Sequence, residues 1–141
     1  MNVRGLIHHV DLTVTDAPRS RIFYDAVLGF LGYRRSADHD HGSDWDRDGE
    51  PFHSVGIIEA RGEGAARTHD RYSPGLHHLA WTAESRDDVD ALDQLLRSIG
   101  ATILDAPADY PQYGPTYYAL FFADPDGLKL EYVHGATASA S

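Results

Sequence analysis

A chain of 141 residues has the length of one ordinary domain. Apolar residues at 42% against 24% charged describe a globular protein, and no apolar run approaches the ~18 residues that a membrane span needs. A net charge of −10 with no basic patch argues against a nucleic-acid or anionic-membrane surface, and the lack of cysteine removes disulfide, iron–sulfur and thiol chemistry. The N-terminus "MNVRGLIHH" has no apolar signal core, so a cytoplasmic location is expected.

The first predicted element is a strand in "LIHHVDLTV", residues 6–14. Val10, Leu12 and Val14 alternate to one face; Ile7, His9, Asp11 and Thr13 alternate to the other. A helix follows, with Asp16 as cap, Pro18 in the first turn, an apolar stripe of Ile22, Phe23, Val27 and Phe30, and Gly29 or Gly32 at its end. A short strand is expected near Tyr33 and Arg34. Residues 36–50, with six acids, read as a polar loop, and residues 52–59 as another strand. A second strand of the opening type, "LHHLAWTA", begins at Leu76. Ser85 then caps a helix, with Asp88 in place of the usual capping-box Glu, a buried stripe of Val89, Leu92, Leu96 and Ile99, and Gly100 as its stop. "ATIL" reads as a short strand, residues 105–115 as a Pro- and Tyr-rich loop, and "TYYALFFA", "DPDG" and "LKLEYVH" as a hairpin. The tail from 136 to 141 has no apolar anchor and is expected to be disordered, leaving one domain over 1–135.

The order of elements repeats. His9 aligns with His78, Gly32 with Gly100, and Glu59 with Glu131, which marks two modules at about 5–62 and 74–134. An α+β fold of two tandem βαβββ modules is predicted, forming a curved, cup-like mixed sheet with helices outside. If the halves pack about a pseudo-twofold axis, His9, Glu59, His78 and Glu131 converge. Two neutral imidazoles with one or two carboxylates suit Zn, Fe, Mn, Ni or Co as divalent ions.

The segments "HHVDLTVTD", "FYDAVLGFLGY", "GLHHLAW" and "FFADPDGLKLEYV" resemble the vicinal oxygen chelate superfamily, which includes glyoxalases, epimerases, extradiol dioxygenases and bleomycin-resistance proteins. The resemblance spans residues 6–134 and implies metal ligands at His9, His78 and Glu131, with Glu59 at the position of a fourth. It implies a small oxygen-rich substrate and a metal that stabilises an enolate or activates oxygen or water, with Glu131 or Glu59 as catalytic base. Lyase or isomerase chemistry suits two carboxylates; dioxygenase chemistry suits one. It also implies a homodimer, with metal sites built within one chain or shared by two. A metal-free protein that sequesters a drug or metabolite is the alternative.

Other features are expected to play lesser parts. His8 and His77 alternate away from their neighbours and are read as packing residues. Tyr110, Tyr113, Tyr117 and Tyr118 lie near the final hairpin; Tyr110, Tyr113 and Tyr118, with His41, are the candidate substrate-pocket residues. Asp44, Asp46, Asp48 and Gly49 begin like a calcium loop, but Val55 stands where its closing Glu belongs.

Overall fold

The computed structural model describes residues 2–135, so the tail predicted to be disordered lies outside the described residues. The chain divides into two units, one ending at Arg67 and the other starting at Thr68. Each is one helix with a four-stranded mixed sheet, and the architecture is α+β with two βαβββ modules.

The first unit runs β1 (His9–Val14), α1 (Ala17–Phe30), β2 (Tyr33–His39), β3 (Gly42–Arg47) and β4 (His53–Glu59), followed by a short 3-10 turn at Gly62–Ala66. Its sheet order is β1-β4-β3-β2, with β1 and β4 parallel and the other pairs antiparallel. The second unit repeats this as β5 (Leu79–Thr82), α2 (Arg86–Ser98), β6 (Thr102–Asp109), β7 (Tyr118–Ala123) and β8 (Lys129–His134), in the order β5-β8-β7-β6. Among the described residues no helix is long and apolar enough to cross a membrane.

The helix ends follow the local chemistry. Asp16 accepts a hydrogen bond from Arg19 N at 3.1 Å, and Ser85 accepts one from Asp88 N at 3.0 Å. Both helices end before a glycine in the left-handed region, Gly32 at φ +94° and Gly100 at φ +72°. The buried face of α1 differs from the predicted stripe. It is Ala17, Ser20, Phe23, Tyr24, Val27 and Leu28, while Ile22 and Phe30 face outward. Tyr24 rather than Ile22 faces inward because its ring packs on Trp45, 6.1 Å between centroids. In α2, Val89, Leu92 and Leu96 are buried as predicted; Ile99 lies past the helix end and is exposed.

Two predicted loops are strands. Residues 36–50 contain most of the β2–β3 hairpin, where Ser43 and Trp45 are buried and alternate with Asp44 and Asp46. The acids hide a period-2 pattern whose inward face carries only a serine and a tryptophan. Trp45 Nε1 donates to Asp25 Oδ1 at 2.9 Å, so the ring is buried with its polar edge paired. Residues 105–109 likewise extend β6, through irregular pairing with β7.

Candidate functional site

Glu131 is the most buried of the predicted site residues, at 2% exposure. Register explains its surroundings. Glu131 pairs with Ala80 of β5 on one side and with Phe121 of β7 on the other, so all three share a face. His78, two residues before Ala80, shares that face, and its Nε2 lies 2.9 Å from Glu131 Oε1. Tyr117 donates its hydroxyl proton to Glu131 Oε2. A carboxylate only accepts, so His78 Nε2 carries the proton of that contact. Both carboxylate oxygens are thus satisfied, which a buried charge requires.

An aromatic wall adjoins this pair. Tyr110 and Tyr113 stack at 5.7 Å, Tyr113 meets Tyr117 edge-on at 5.4 Å, and Tyr110 meets Phe121 at 5.5 Å. Burial, then the bond to Glu131, holds the Tyr117 hydroxyl well above the usual phenol range, so it stays a donor at neutral pH. Two of the three tyrosines predicted for a pocket, Tyr110 and Tyr113, therefore stand by Glu131. Tyr118 does not. Alternation along β7 sends it to the helix side, where it donates to Asp90 Oδ1 at 2.6 Å beneath the Arg86 guanidinium. Counting pairs back from the "DPDG" turn gives Phe121 and Tyr117 the parity of Glu131, a signal already present in the sequence.

In the first unit the predicted residues separate. His9 pairs with Ser54 on the outer face of the sheet, whereas Glu59 pairs with Val14 on the helix face. Five register steps, about 16 Å, also lie between the two positions. Glu59 Oε2 instead accepts from Ala17 N, 2.9 Å, at the start of α1, whose first turn holds no acid of its own. The register equivalent of Glu131 is Gly56, not Glu59: Glu131 pairs with the residue two past His78, and Gly56 with the residue two past His9. The offset of three is odd, and an odd offset changes the face. His41 sits exposed in the β2–β3 turn, its carbonyl accepting from Glu59 N at 2.7 Å.

The histidine doublets also depart from expectation. His8 and His77 precede the first ladder pair of their strands and escape strict alternation. Both are exposed, and each turns its ring to its neighbour. His8 Nδ1 is 2.9 Å from His9 Nδ1, and His77 Nδ1 is 2.8 Å from His78 Nδ1. With a neutral His78 holding its proton on Nε2, His77 is the Nδ1 donor of its pair. Desolvation, and then repulsion from Lys129, Arg71 and the neighbouring histidines His78 and His69 when they are protonated, keeps His77 below the usual imidazole range. His8 also lines a cleft of about 230 Å³ with Val3, Leu6, Pro51 and Phe52.

Among the described residues no three or more His, Asp or Glu side chains form a metal-holding group; each unit offers pairs. The donor chemistry nevertheless suits a divalent transition metal, because a dry carboxylate beside an imidazole Nε2 is a borderline-soft N/O donor set.

Comparison with known proteins agrees with the repeat. An uncharacterized protein of Bacillus subtilis (strain 168), YqjT, is 34% identical over 127 residues, covering 90% of this chain and 97% of its own. A crystal structure of a candidate glyoxalase from Bacillus halodurans superposes with a TM-score of 0.78 at 32% identity, covering 94% of this chain and 97% of that one. A glyoxylase/bleomycin resistance protein/dioxygenase domain from Frankia sp. EAN1pec gives 0.74 at 28% identity, covering 94% and 98%. The family model of the Glyoxalase/Bleomycin resistance protein/Dioxygenase superfamily matches residues 6–132, nearly the whole described length, and the chain belongs to that superfamily.

Proposed function

We propose that this protein is a metal-dependent enzyme acting on a small oxygen-rich metabolite, with lyase, isomerase or dioxygenase chemistry. The observation that carries the reading is the His78–Glu131–Tyr117 arrangement, in which a buried carboxylate meets an imidazole Nε2 and a phenol beside an aromatic wall. His9, His78 and Glu131 are the proposed ligands. The metal, when bound, supplies Lewis acidity that lowers the cost of negative charge on a substrate oxygen.

The chain's own residues do the rest. Glu131 is the proposed base, because it is the buried carboxylate beside the proposed ligand His78 and the aromatic wall. Tyr117 remains protonated and can donate to a substrate oxygen. Tyr110, Tyr113 and Phe121 present a flat apolar surface that excludes water and suits a planar or unsaturated substrate. Glu59 is assigned to the N-terminus of α1 instead of the metal. A cytoplasmic homodimer completes the reading, tested by cell fractionation and light scattering.

Elemental analysis of purified chain, repeated on His78→Ala and Glu131→Gln, is the decisive experiment. A transition metal in the wild type that both variants lose supports the enzyme. Metal-free wild type, with small-molecule binding that survives both substitutions, favours the sequestering alternative.

A further inference from the structure

The two sheets carry the same face with its acid moved to another strand. In the second unit the residue two past the histidine is Ala80, and its partner on the neighbouring parallel strand is Glu131. In the first unit the residue two past His9 is Asp11, and its partner is Gly56. One pair reads small–acid and the other acid–small.

Gly56 is buried, and the space a side chain would fill is taken. A Cβ built there would lie 2.4 Å from Asp11 Oδ1 and 2.7 Å from Asp44 Oδ1. The Asp11 carboxylate thus lies over β4, where Glu131 leaves β8 in the other unit. Its second oxygen, Oδ2, is 3.8 Å from His9 Nε2. Glu131 approaches the same nitrogen of His78, at 2.9 Å. Asp44 is already engaged by His39 Nε2 at 2.8 Å, which leaves Asp11 as the acid beside the histidine. Each unit therefore presents one imidazole Nε2 with one carboxylate, although only one unit keeps the acid on its closing strand.

We infer that Asp11 is a metal ligand of the first unit, the counterpart of Glu131 carried on the opposite strand of the parallel pair. The inference rests on the metal reading above and adds a residue to it. Gly56 leaves room for that carboxylate: a side chain there would require Asp11 and Asp44 to move aside.

Calorimetric titration of the chelator-stripped full chain with Co²⁺ tests it without reference to catalysis. Asp11→Asn, near-isosteric at an exposed position, is expected to weaken Co²⁺ binding by about tenfold or more, whereas Glu59→Gln changes it by less than about twofold. Wild-type affinity in Asp11→Asn, with binding lost in Glu131→Gln, overturns the Asp11 assignment and leaves the metal reading standing. A wild-type chain that takes up no Co²⁺ overturns both.

Discussion

Glu131 joins a charge to a nearly dry site, and its two donors are what make that tolerable. The hydroxyl of Tyr117 and Nε2 of His78 leave neither oxygen without a partner. Tyr117→Phe removes one donor and is expected to cost about 1–2 kcal/mol, read as a fall in the urea midpoint without a change of slope. Glu131→Gln replaces an acceptor oxygen by an NH₂ that must face a donor, and about 1–3 kcal/mol is expected. The same variant should lower Tyr117 ionisation only part of the way, because the Glu131 charge is gone while burial, the larger cause, remains; phenolate absorbance against pH checks this. His78 and Glu131 were legible in the sequence as matching residues of two halves. The face on which Glu59 lies was not legible, since similarity of strand ends does not reveal parity. Tyr117 was eclipsed by Tyr118 for the same reason.

The helices and hairpins show where patterning is reliable and where it is not. Both caps were readable from Asp16 and Ser85, because capping is a local interaction. The acid that completes the start of α1 comes from 42 residues away, and no local rule finds it. Glu59→Ala and Asp16→Ala are each expected to cost about 1 kcal/mol in chemical denaturation, while Co²⁺ binding stays unchanged. The inward face of α1 supplies a sharper comparison. Leu28→Ala should cost about 2–5 kcal/mol, as for a fully buried leucine, and Ile22→Ala less than about 0.5, since Ile22 is 75% exposed. Equal costs for the two would contradict the buried face described here. The β2–β3 hairpin was missed because six acids over residues 36–50 mask an alternation that only burial of Trp45 makes visible.

For the molecule as a whole, the shifted titrations set the pH range of stability. Desolvation, with the charge of Arg47, His8 and His9, lowers the His53 imidazole below its ordinary value. The unfolded chain then binds a proton at about pH 6.5 that the folded chain refuses, so this contribution is present above that pH and lost as pH falls below it. His53→Gln is expected to flatten the acid limb of a plot of unfolding midpoint against pH. The alkaline side runs the other way. A hydrogen bond to Asp90, and then burial, raises Tyr118 to about 12, while Tyr132 is raised by burial and by its bond to Asp88. The unfolded chain loses those protons near pH 10, so stability falls as pH rises beyond that value. Tyr118→Phe should reduce that loss.

By itself the sequence determined the class, the duplication, the two helix starts and the identity of the histidine–glutamate pair in the second half. These depend on composition, local capping and periodicity, all of which are short-range. Tertiary structure decided which residues share a face. A strand changes face at every residue, so Glu59, three positions past Gly56, lies on the face opposite His9, and Gly56 and Asp11 stand at the register position that Glu131 and Ala80 hold in the other unit. That choice is made by pairing between β1 and β4, strands separated by α1 and a hairpin, and pairing at such distance leaves no local mark on the chain.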